Sequence, residues 1–385
     1  MSTICDMNVL YDAFRASMRS SPWKEEPQRF ETDFLSEINR LRHELAEKTY
    51  QTSQGSDFLL NERGKTRHVH GGRMRDRVVR HALCDAVLTP KLAPYIIHNN
   101  FASQTGKGVD AARKAFERDL HNFYLEYGDN NGWVCFMDFS KYYDNIRHDK
   151  VLEKIAPHLE EDEMWLLEEI LRGFRVDVSY LTDEQYAAAL DEKFDSVRYL
   201  AEVSEDMKTG GKFLPKSLDI GDQVSQNIGV FFPTEIDNFV TVVRGFRRYG
   251  RYMDDSYLIH RERGYLEDTV GMVAEIARRD GLFVNERKTH VTRLGDCYTF
   301  LKVRYRLEER GRVQKRICPE AVTRERRRLR AHARLVRDGR MPREQSDQAF
   351  RSWMGRYAKM MSRKQRAGIT TLYRELFGAD APRWK

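Results

Sequence analysis

No apolar stretch of this 385-residue chain approaches the ~20 residues of a membrane-spanning helix, so no membrane association is expected. The five cysteines, at positions 5, 84, 135, 297 and 318, form no CxxC pair, and His98, His148 and His290 have no partner at a zinc-binding spacing. Disulfides and a structural zinc are thereby disfavoured, which suits a reducing cytoplasm, and the three histidines read as structural. Met1 to Phe14 carries Asp6 and lacks the apolar core of a secretory leader, so a cytoplasmic protein is expected. Gly71-Gly72 reads as a turn, because no Gly-Lys-Ser/Thr follows it to open a phosphate-binding helix. Repeats and low-complexity tracts are absent too. The length suffices for two or three subdomains around a proper core.

Charge is unevenly spread. The net charge is +7, yet residues 309–385 hold 22 Lys and Arg against eight Asp and Glu, a net of +14, which leaves −7 for the rest. Arg324 to Arg337 contains seven arginines and one glutamate, with Leu329, Ala333 and Val336 as a thin apolar stripe at helical spacing. Arginine concentrated without compensating acid favours a phosphate backbone as partner. Residues 160–206 show the opposite bias, fifteen Asp and Glu against four Lys and Arg. Such a surface repels nucleic acid, so this segment is expected outside a binding channel, as a solvated helix pair or a partner-binding insertion.

Tyr252-Met253-Asp254-Asp255 lies between two strand-like runs, Phe246 to Tyr252 and Ser256 to Ile259, and is expected at the tip of a β-hairpin. An Asp-Asp pair in a turn is common in itself, since Asp favours turns. A second apolar run, Trp133 to Met137, ends in Asp138. If these strands lie side by side, three carboxylates converge, and close like charges call for cations between them. Carboxylate and water oxygens suit Mg²⁺, and two such ions about 4 Å apart can clamp the attacking and leaving oxygens of a phosphoryl transfer. A two-metal nucleotidyl transferase is the reading these residues support. Around them, Phe34, Ile38, Leu41 and Leu45 predict an amphipathic helix. Phe58-Leu59-Leu60 and Thr66 to His70, flanking Arg63-Gly64-Lys65, predict a hairpin. Arg77 to Leu92 and Val109 to Tyr124 read as helices, and the chain is helical and basic from Pro319 onward with a break at Met341-Pro342. Trp353 and Tyr357, four apart, read as core.

Asp138-Phe139-Ser140-Lys141-Tyr142-Tyr143-Asp144 resembles the first catalytic motif of bacterial reverse transcriptases, and Tyr252 to Asp255 resembles the second. Between them, Ile220-Gly221-Asp222-Gln223-Val224-Ser225-Gln226 is similar to the template-grip motif. Asn285 to Lys288 and Phe300-Leu301-Lys302 resemble the last palm motifs, while Arg75 to Cys84 and Gly106-Lys107-Gly108 resemble the fingers. Seven segments in the family's order, spread over nearly the whole chain, carry the likeness. The subgroups it most resembles are diversity-generating retroelement enzymes and unclassified or defence-associated ones. The resemblance implies an α+β right-hand polymerase: an N-terminal helical extension (1–50), fingers (51–132), a palm of antiparallel sheet backed by helices (133–308, with the acidic insertion around 160–206) and a basic helical thumb (309–385).

It also implies roles. Asp138, Asp254, Asp255 and the backbone carbonyl of Phe139 would hold two Mg²⁺, or Mn²⁺. Tyr143 would lie under the sugar and exclude a ribose 2′-OH. Lys65, Arg67 and Arg75 would reach the triphosphate, with Arg75 giving the bidentate grip that Lys cannot. Lys288 would protonate the departing pyrophosphate. Ile220 and Gly221 would border the incoming nucleotide; Ser225, Gln226, Tyr252, Met253, Arg327, Arg330 and Arg334 would touch template or primer. The implied partners are an RNA template, supplied by a dedicated non-coding RNA, deoxynucleoside triphosphates and the cDNA product, with an accessory protein or a homo-oligomer as further candidates.

No nuclease, helicase, zinc-finger or protease signature accompanies these motifs. Antiphage defence through cDNA synthesis and mutagenic copying for diversification both fit; the acidic insertion, which departs from compact diversifying enzymes, favours defence. Polymerisation without a template, or from a protein hydroxyl among the eighteen tyrosines, is a further alternative, as is an idle RNA-binding scaffold. One departure has a mechanism: most of the family carries Gln where Ile220 stands, and Ile offers shape without a hydrogen bond. A lost contact of this kind is worth about 1 kcal/mol. Ile220→Gln is expected to lower misincorporation several-fold; an unchanged error rate in a misincorporation assay would refute the low fidelity expected here.

Overall fold

Helices and short antiparallel sheets together make this an α+β protein. The structure is a computed structural model and describes residues 3–19, 21–53, 55–62 and 64–384. Arg63, expected in the first hairpin turn, lies outside the described residues. The chain divides into two compact units: Met1–Ala112, Cys135–Leu258 and Gly264–His290 form one, and Arg113–Val134, Ile259–Arg263 and Val291–Lys385 the other. These borders cut across those expected at residues 50, 132 and 308, because packing joins segments distant in sequence.

In the first unit, Asp6 caps helix Met7–Met18 by accepting from the amides of Asn8 and Val9. Helix Phe34–Ala46 buries Ile38, Leu41 and Leu45, the stripe its periodicity predicts. Strands β1 (Ser56–Glu62) and β2 (Lys65–Gly71) form the expected antiparallel hairpin, with Glu62 opposite Lys65. All of β1 is exposed, including Phe58, Leu59 and Leu60. The helix expected over 77–92 begins at Met74 and passes through a π-helical turn, Cys84–Leu88, before Thr89–Leu92. Pro90 lacks the N–H that a continuing α-ladder needs, and the wider turn absorbs the interruption.

Six further strands follow: β3 (Trp133–Met137), β4 (Val176–Asp177), β5 (Phe213–Leu214), β6 (Tyr249–Tyr252), β7 (Asp255–His260) and β8 (His290–Arg293). The main sheet has the order β6-β7-β3-β8, so the strand ending before Asp138 neighbours the strand that begins with Asp255. The β6–β7 register pairs Tyr252 with Asp255, leaving Met253-Asp254 as a two-residue turn.

The second unit carries strands β9 (Tyr298–Phe300), β10 (Val303–Leu307) and β11 (Val313–Ile317) in the order β11-β10-β9. Phe116, on helix Val109–Tyr127, packs its ring 5.0 Å from Phe300 and 5.1 Å from Tyr305. Three helices, Pro319–Arg337, Arg343–Tyr357 and Arg363–Phe377, enclose Leu329, Phe350, Met354, Ile369 and Tyr373, with Trp353 and Tyr357 packed against that core. Arg327, Arg330 and Arg334 are exposed on the first of these helices.

The acidic segment departs from expectation. It is not a solvated helix pair standing apart. Helix Glu161–Gly173 buries Leu166, Leu167, Ile170 and Leu171, and its Glu169 accepts the Thr52 amide. Short helices Asp183–Asp191 and Ser196–Glu202, with the β4–β5 pair, build a small core of their own around Val176, Val178, Tyr199 and Leu214. Fully buried Lys216 anchors this lobe: its ammonium donates to the carbonyls of Ala189, Leu190 and Glu192, the negative end of helix Asp183–Asp191. Burial, then the nearby Arg147 charge, lowers that amine to about 8. Composition predicted the surface charge correctly but missed these long-range anchors.

A second buried charge supports the β6–β7 hairpin. Arg251, on β6, is 1% exposed, and its Nε and Nη2 bond both oxygens of fully buried Asp237 at 2.6–3.2 Å. Nη2 also donates to the Val230 carbonyl, and Nη1 to the carbonyl of Met253 in the turn. Tyr249 completes the carboxylate's shell with a 2.7 Å bond. Removing one partner of such a pair strands the other charge in the interior, at a cost of about 3–5 kcal/mol. Asp237→Ala is expected to lower the denaturant midpoint accordingly; a midpoint equal to wild type would show that Arg251 finds water or another acceptor.

Candidate active site

The Asp254 turn is a backbone feature before it is a chemical one. Met253 has φ +55°, a left-handed conformation that side-chain-bearing residues seldom adopt, at the first position of a two-residue hairpin loop where Gly is usual. Arg251 holds its carbonyl at 3.2 Å, and the Tyr143 hydroxyl lies 3.6 Å from its sulfur. The turn is thus fixed from both sides, with Asp254 and Asp255 following the strained residue.

Asp138 follows β3 and is 5% exposed. Its backbone is pinned by the Asn285 amide, which donates to its carbonyl at 2.8 Å, and by its own N–H to the Thr289 hydroxyl. Asn285 Nδ2 reaches Oδ1 at 3.1 Å, and the Lys288 ammonium reaches Oδ2 at 2.7 Å. Phe139 next to it is buried and bridges to Val284. Burial, then repulsion from Asp138, pushes the Asp254 carboxyl above its ordinary value, against the pull of the Lys288 and Lys65 ammonium groups. Asp255 is pushed up to about 7 by burial, by Asp254 and Asp138, and by a hydrogen bond to the Asp138 carboxyl, which needs a shared proton. Asp255 is also exposed at the rim of the site, where solvent moderates the effect.

The three acids therefore act on one another electrostatically. They do not form a finished metal cage: among the described residues no three His, Cys, Asp or Glu side chains are grouped to hold an ion. A cation is nevertheless present at Asp138, the Lys288 ammonium. The donors fit divalent ions by chemistry and by uncompensated charge, since the Lys288 and Lys65 ammonium groups face three carboxyl groups.

Other sequence-predicted residues fall into three groups. Tyr143 stands at the site: its ring packs on Gly229, where a Cβ would come within 3.1 Å of its hydroxyl, and burial followed by the Asp254 charge raises its phenol well above the ordinary value. Lys65, at the start of β2, is exposed and contributes to the field at Asp254. Gly221 has φ +97°, opening the turn from Ile220 into helix Gln223–Phe231, which Asp222 caps. Tyr252 and Met253 flank the acids directly. A second group is engaged elsewhere: Arg67 pairs with Glu62 at 3.0 Å, Arg75 with Glu44 while lying over the Tyr50 ring, and Gln226 accepts from Ser103. For Arg75 and Arg67, triphosphate contact requires these pairs to open. Ser225 is a correction: it is fully buried, its hydroxyl has no hydrogen-bond partner, and direct template contact is closed to it in this conformation. Arg327, Arg330 and Arg334 belong to the second unit.

Sequence reasoning missed Arg251 and Asp237, and it placed Asn285 in a palm-like segment without giving its side chain a role. Phe246 to Tyr252 holds three arginines, and nothing in that run marks Arg251 as the buried one. Arg80, inside the matched Arg75–Cys84 segment, was also not singled out; its buried guanidinium bonds Asp222 at 2.9 Å and so steadies the helix cap of the grip segment.

The family described as "Reverse transcriptase (RNA-dependent DNA polymerase)" matches residues 61–317. Among solved structures, apo telomerase from Candida tropicalis is similar at 14% identity and a TM-score of 0.44, covering 69% of this chain and 49% of that one. Telomerase from Candida albicans in complex with a TWJ fragment of telomeric RNA gives 11% identity and a TM-score of 0.46, with 87% and 62% covered. The chain spans 49% to 62% of the length of these structures. Comparison with curated protein sequences finds no match.

The raised Asp255 carboxyl has a measurable consequence. A group held above its ordinary 3.8 keeps a proton in the folded protein that the unfolded chain has already lost. Folding is then favoured at low pH, and the advantage fades as pH rises to about 7. In protein stripped of divalent ions, the melting temperature of wild type is expected to fall relative to Asp255→Asn between about pH 4 and about pH 7. A constant difference across that window would mean that the three acids do not interact.

Proposed function

The chain belongs to the reverse transcriptase (RNA-dependent DNA polymerase) family, and from that premise we propose that it copies RNA into DNA at the Asp138–Asp254–Asp255 site. The observation that carries the reading is the mutual electrostatic influence of these three carboxylates, brought together by adjacent strands and a strained turn. Two divalent ions, Mg²⁺ or Mn²⁺, held by Asp138, Asp254, Asp255 and the Phe139 carbonyl, would acidify the primer hydroxyl and neutralise charge on the pyrophosphate.

The chain's own residues supply the rest. The primer 3′ oxygen forms a bond to the α-phosphorus as the bond to pyrophosphate breaks. Lys288 sits on Asp138 at 2.7 Å and is half-exposed, so it can exchange that carboxylate for a phosphate oxygen and donate a proton to the leaving group. Lys65, at the hairpin tip, presents a cation on the side of Asp254 where a triphosphate would bring negative charge. Tyr143, wedged between Gly229 and Met253, offers a ring edge in place of room for a 2′-OH. The exposed arginines 327, 330 and 334 would hold the phosphate backbone of template or primer.

For the biological setting we favour antiphage defence, in which a dedicated non-coding RNA supplies the template in the cytoplasm. The developed acidic lobe supports this over compact diversifying enzymes. Ile220 is the observation in favour of mutagenic copying in a diversity-generating retroelement. N-terminal helices, fingers, palm and thumb remain the functional parts assigned to 1–50, 51–132, 133–308 and 309–385.

Primer extension on RNA with Mg²⁺ is expected for wild type, and its loss by at least about a hundredfold for Asp254→Ala, the scale of removing one group that stabilises transition-state charge. Extension without template or primer would point to untemplated or protein-primed synthesis. No extension on any template would support an RNA-binding scaffold instead.

A further inference from the structure

The acidic lobe meets the first catalytic motif through a set of polar bonds with Tyr143 in their midst. Lys141, two residues before Tyr143, has φ +48° and ψ +53°, a left-handed conformation rarely taken by residues with a side chain. Its ammonium donates to Asp195 Oδ1 at 2.7 Å. Asp144, the next residue after Tyr143, accepts from both the amide and the hydroxyl of Ser196 at 3.0 Å. Asn145 is fully buried and bonds the Phe194 backbone in both senses: it donates to the carbonyl at 3.2 Å and accepts the amide at 2.8 Å. The same Nδ2 also donates to the carbonyl of Lys141 at 2.9 Å, closing the turn upon itself. On the other side, Leu218, where the chain leaves the lobe, donates its amide to the carbonyl of Tyr143. Residues 141, 143, 144 and 145 are therefore each held by the segment around 194–218.

Lys141 is the N-cap of a one-turn helix, Tyr142–Asn145, and an entry kept in so unfavourable a backbone conformation needs its surroundings to specify it. Here the specification comes from the lobe, and the second residue of that helical turn is the aromatic assigned above to sugar discrimination. Helix Ser196–Glu202 also packs against β2, the strand that begins with Lys65. One short helix thus touches both the Tyr143 turn and the hairpin.

We propose that the acidic lobe is a positioning element for the nucleotide site, with Asn145 and Ser196 as positioning residues that set the tilt of Tyr143 and so the preference for deoxynucleotides. This rests on the reading of Tyr143 as the sugar gate of a polymerase. A lobe that served only to stabilise the fold would change protein yield and melting temperature and leave the choice of sugar untouched.

The test is primer extension with deoxy- and ribonucleoside triphosphates on one template, read as the ratio of their kcat/KM values. Ser196→Ala is expected to lower that ratio about tenfold, the lower end for a hydrogen bond to a carboxylate. Ser196→Thr, which keeps the hydroxyl, restores most of it. Lys141→Met, at a half-exposed position, lowers it by a smaller factor without cutting a buried bond. In a Tyr143→Ala background, Ser196→Ala has no further effect on the ratio. The inference is overturned if Ser196→Ala and Lys141→Met keep the wild-type ratio while Tyr143→Ala lowers it. A ratio unmoved by Tyr143→Ala removes the sugar gate and the positioning role with it. A wild type that extends no primer removes the polymerase reading itself.

Discussion

Taking an arginine out of water is costly unless each of its donors finds an acceptor. Arg251 meets that condition by using acceptors from several parts of the first unit: Asp237, the Val230 carbonyl at the end of helix Gln223–Phe231, and the Met253 carbonyl in the β6–β7 turn. Its own backbone exchanges bonds with the 99–101 loop. Burial of one ion pair therefore fixes the distance between strand, helix and turn at once. The unfavourable φ of Met253 persists because the guanidinium holds the carbonyl beside it. Lysine could not replace this residue, since a single ammonium lacks the planar fork that spans three acceptors.

The electrostatics of the acidic triad follow from that rigidity. Three carboxylates on fixed backbones cannot spread apart to relax their repulsion. The chain answers in part with Lys288 and Asn285 on Asp138, and in part by raising the affinity of Asp254 and Asp255 for protons. Both responses leave the site short of positive charge. That deficit makes it receptive to divalent cations, although the side chains are not closed around a common point.

Local patterns were legible in the sequence. The hairpin around Asp254, the strand before Asp138, the Ile38-Leu41-Leu45 stripe and the basic C-terminal helices all lie within a turn or two of chain, where period and composition suffice. Long-range pairing was not. Nothing near Arg251 in sequence marks Asp237 as its partner, and nothing in a run of fifteen acids reveals that Asp195 and Ser196 reach back to residues 141 and 144. Net charge predicted repulsion from nucleic acid for the whole segment, whereas a few buried polar bonds decided where it sits. Ser225 shows the converse error: a motif position suggested contact, and burial of the helix face that bears it removed the side chain from reach. The packing units were not legible for a similar reason, since Phe116 packs on a sheet formed nearly two hundred residues later.

The β1–β2 hairpin has little to hold it in place. A two-stranded ribbon is marginal in water by itself, and every residue of β1 faces solvent. Its attachment runs through β2 and helix Ser196–Glu202, while Asp57 of β1 binds His68 and His70 within the ribbon. Opening it exposes little new apolar surface and breaks few buried bonds. Its excursions therefore sit at the low end of the local free-energy scale, far below global unfolding. Amide hydrogens of this ribbon should exchange with solvent sooner than those of β6 and β7, and the Lys65 end can sweep through many orientations while the acids beneath it stay still.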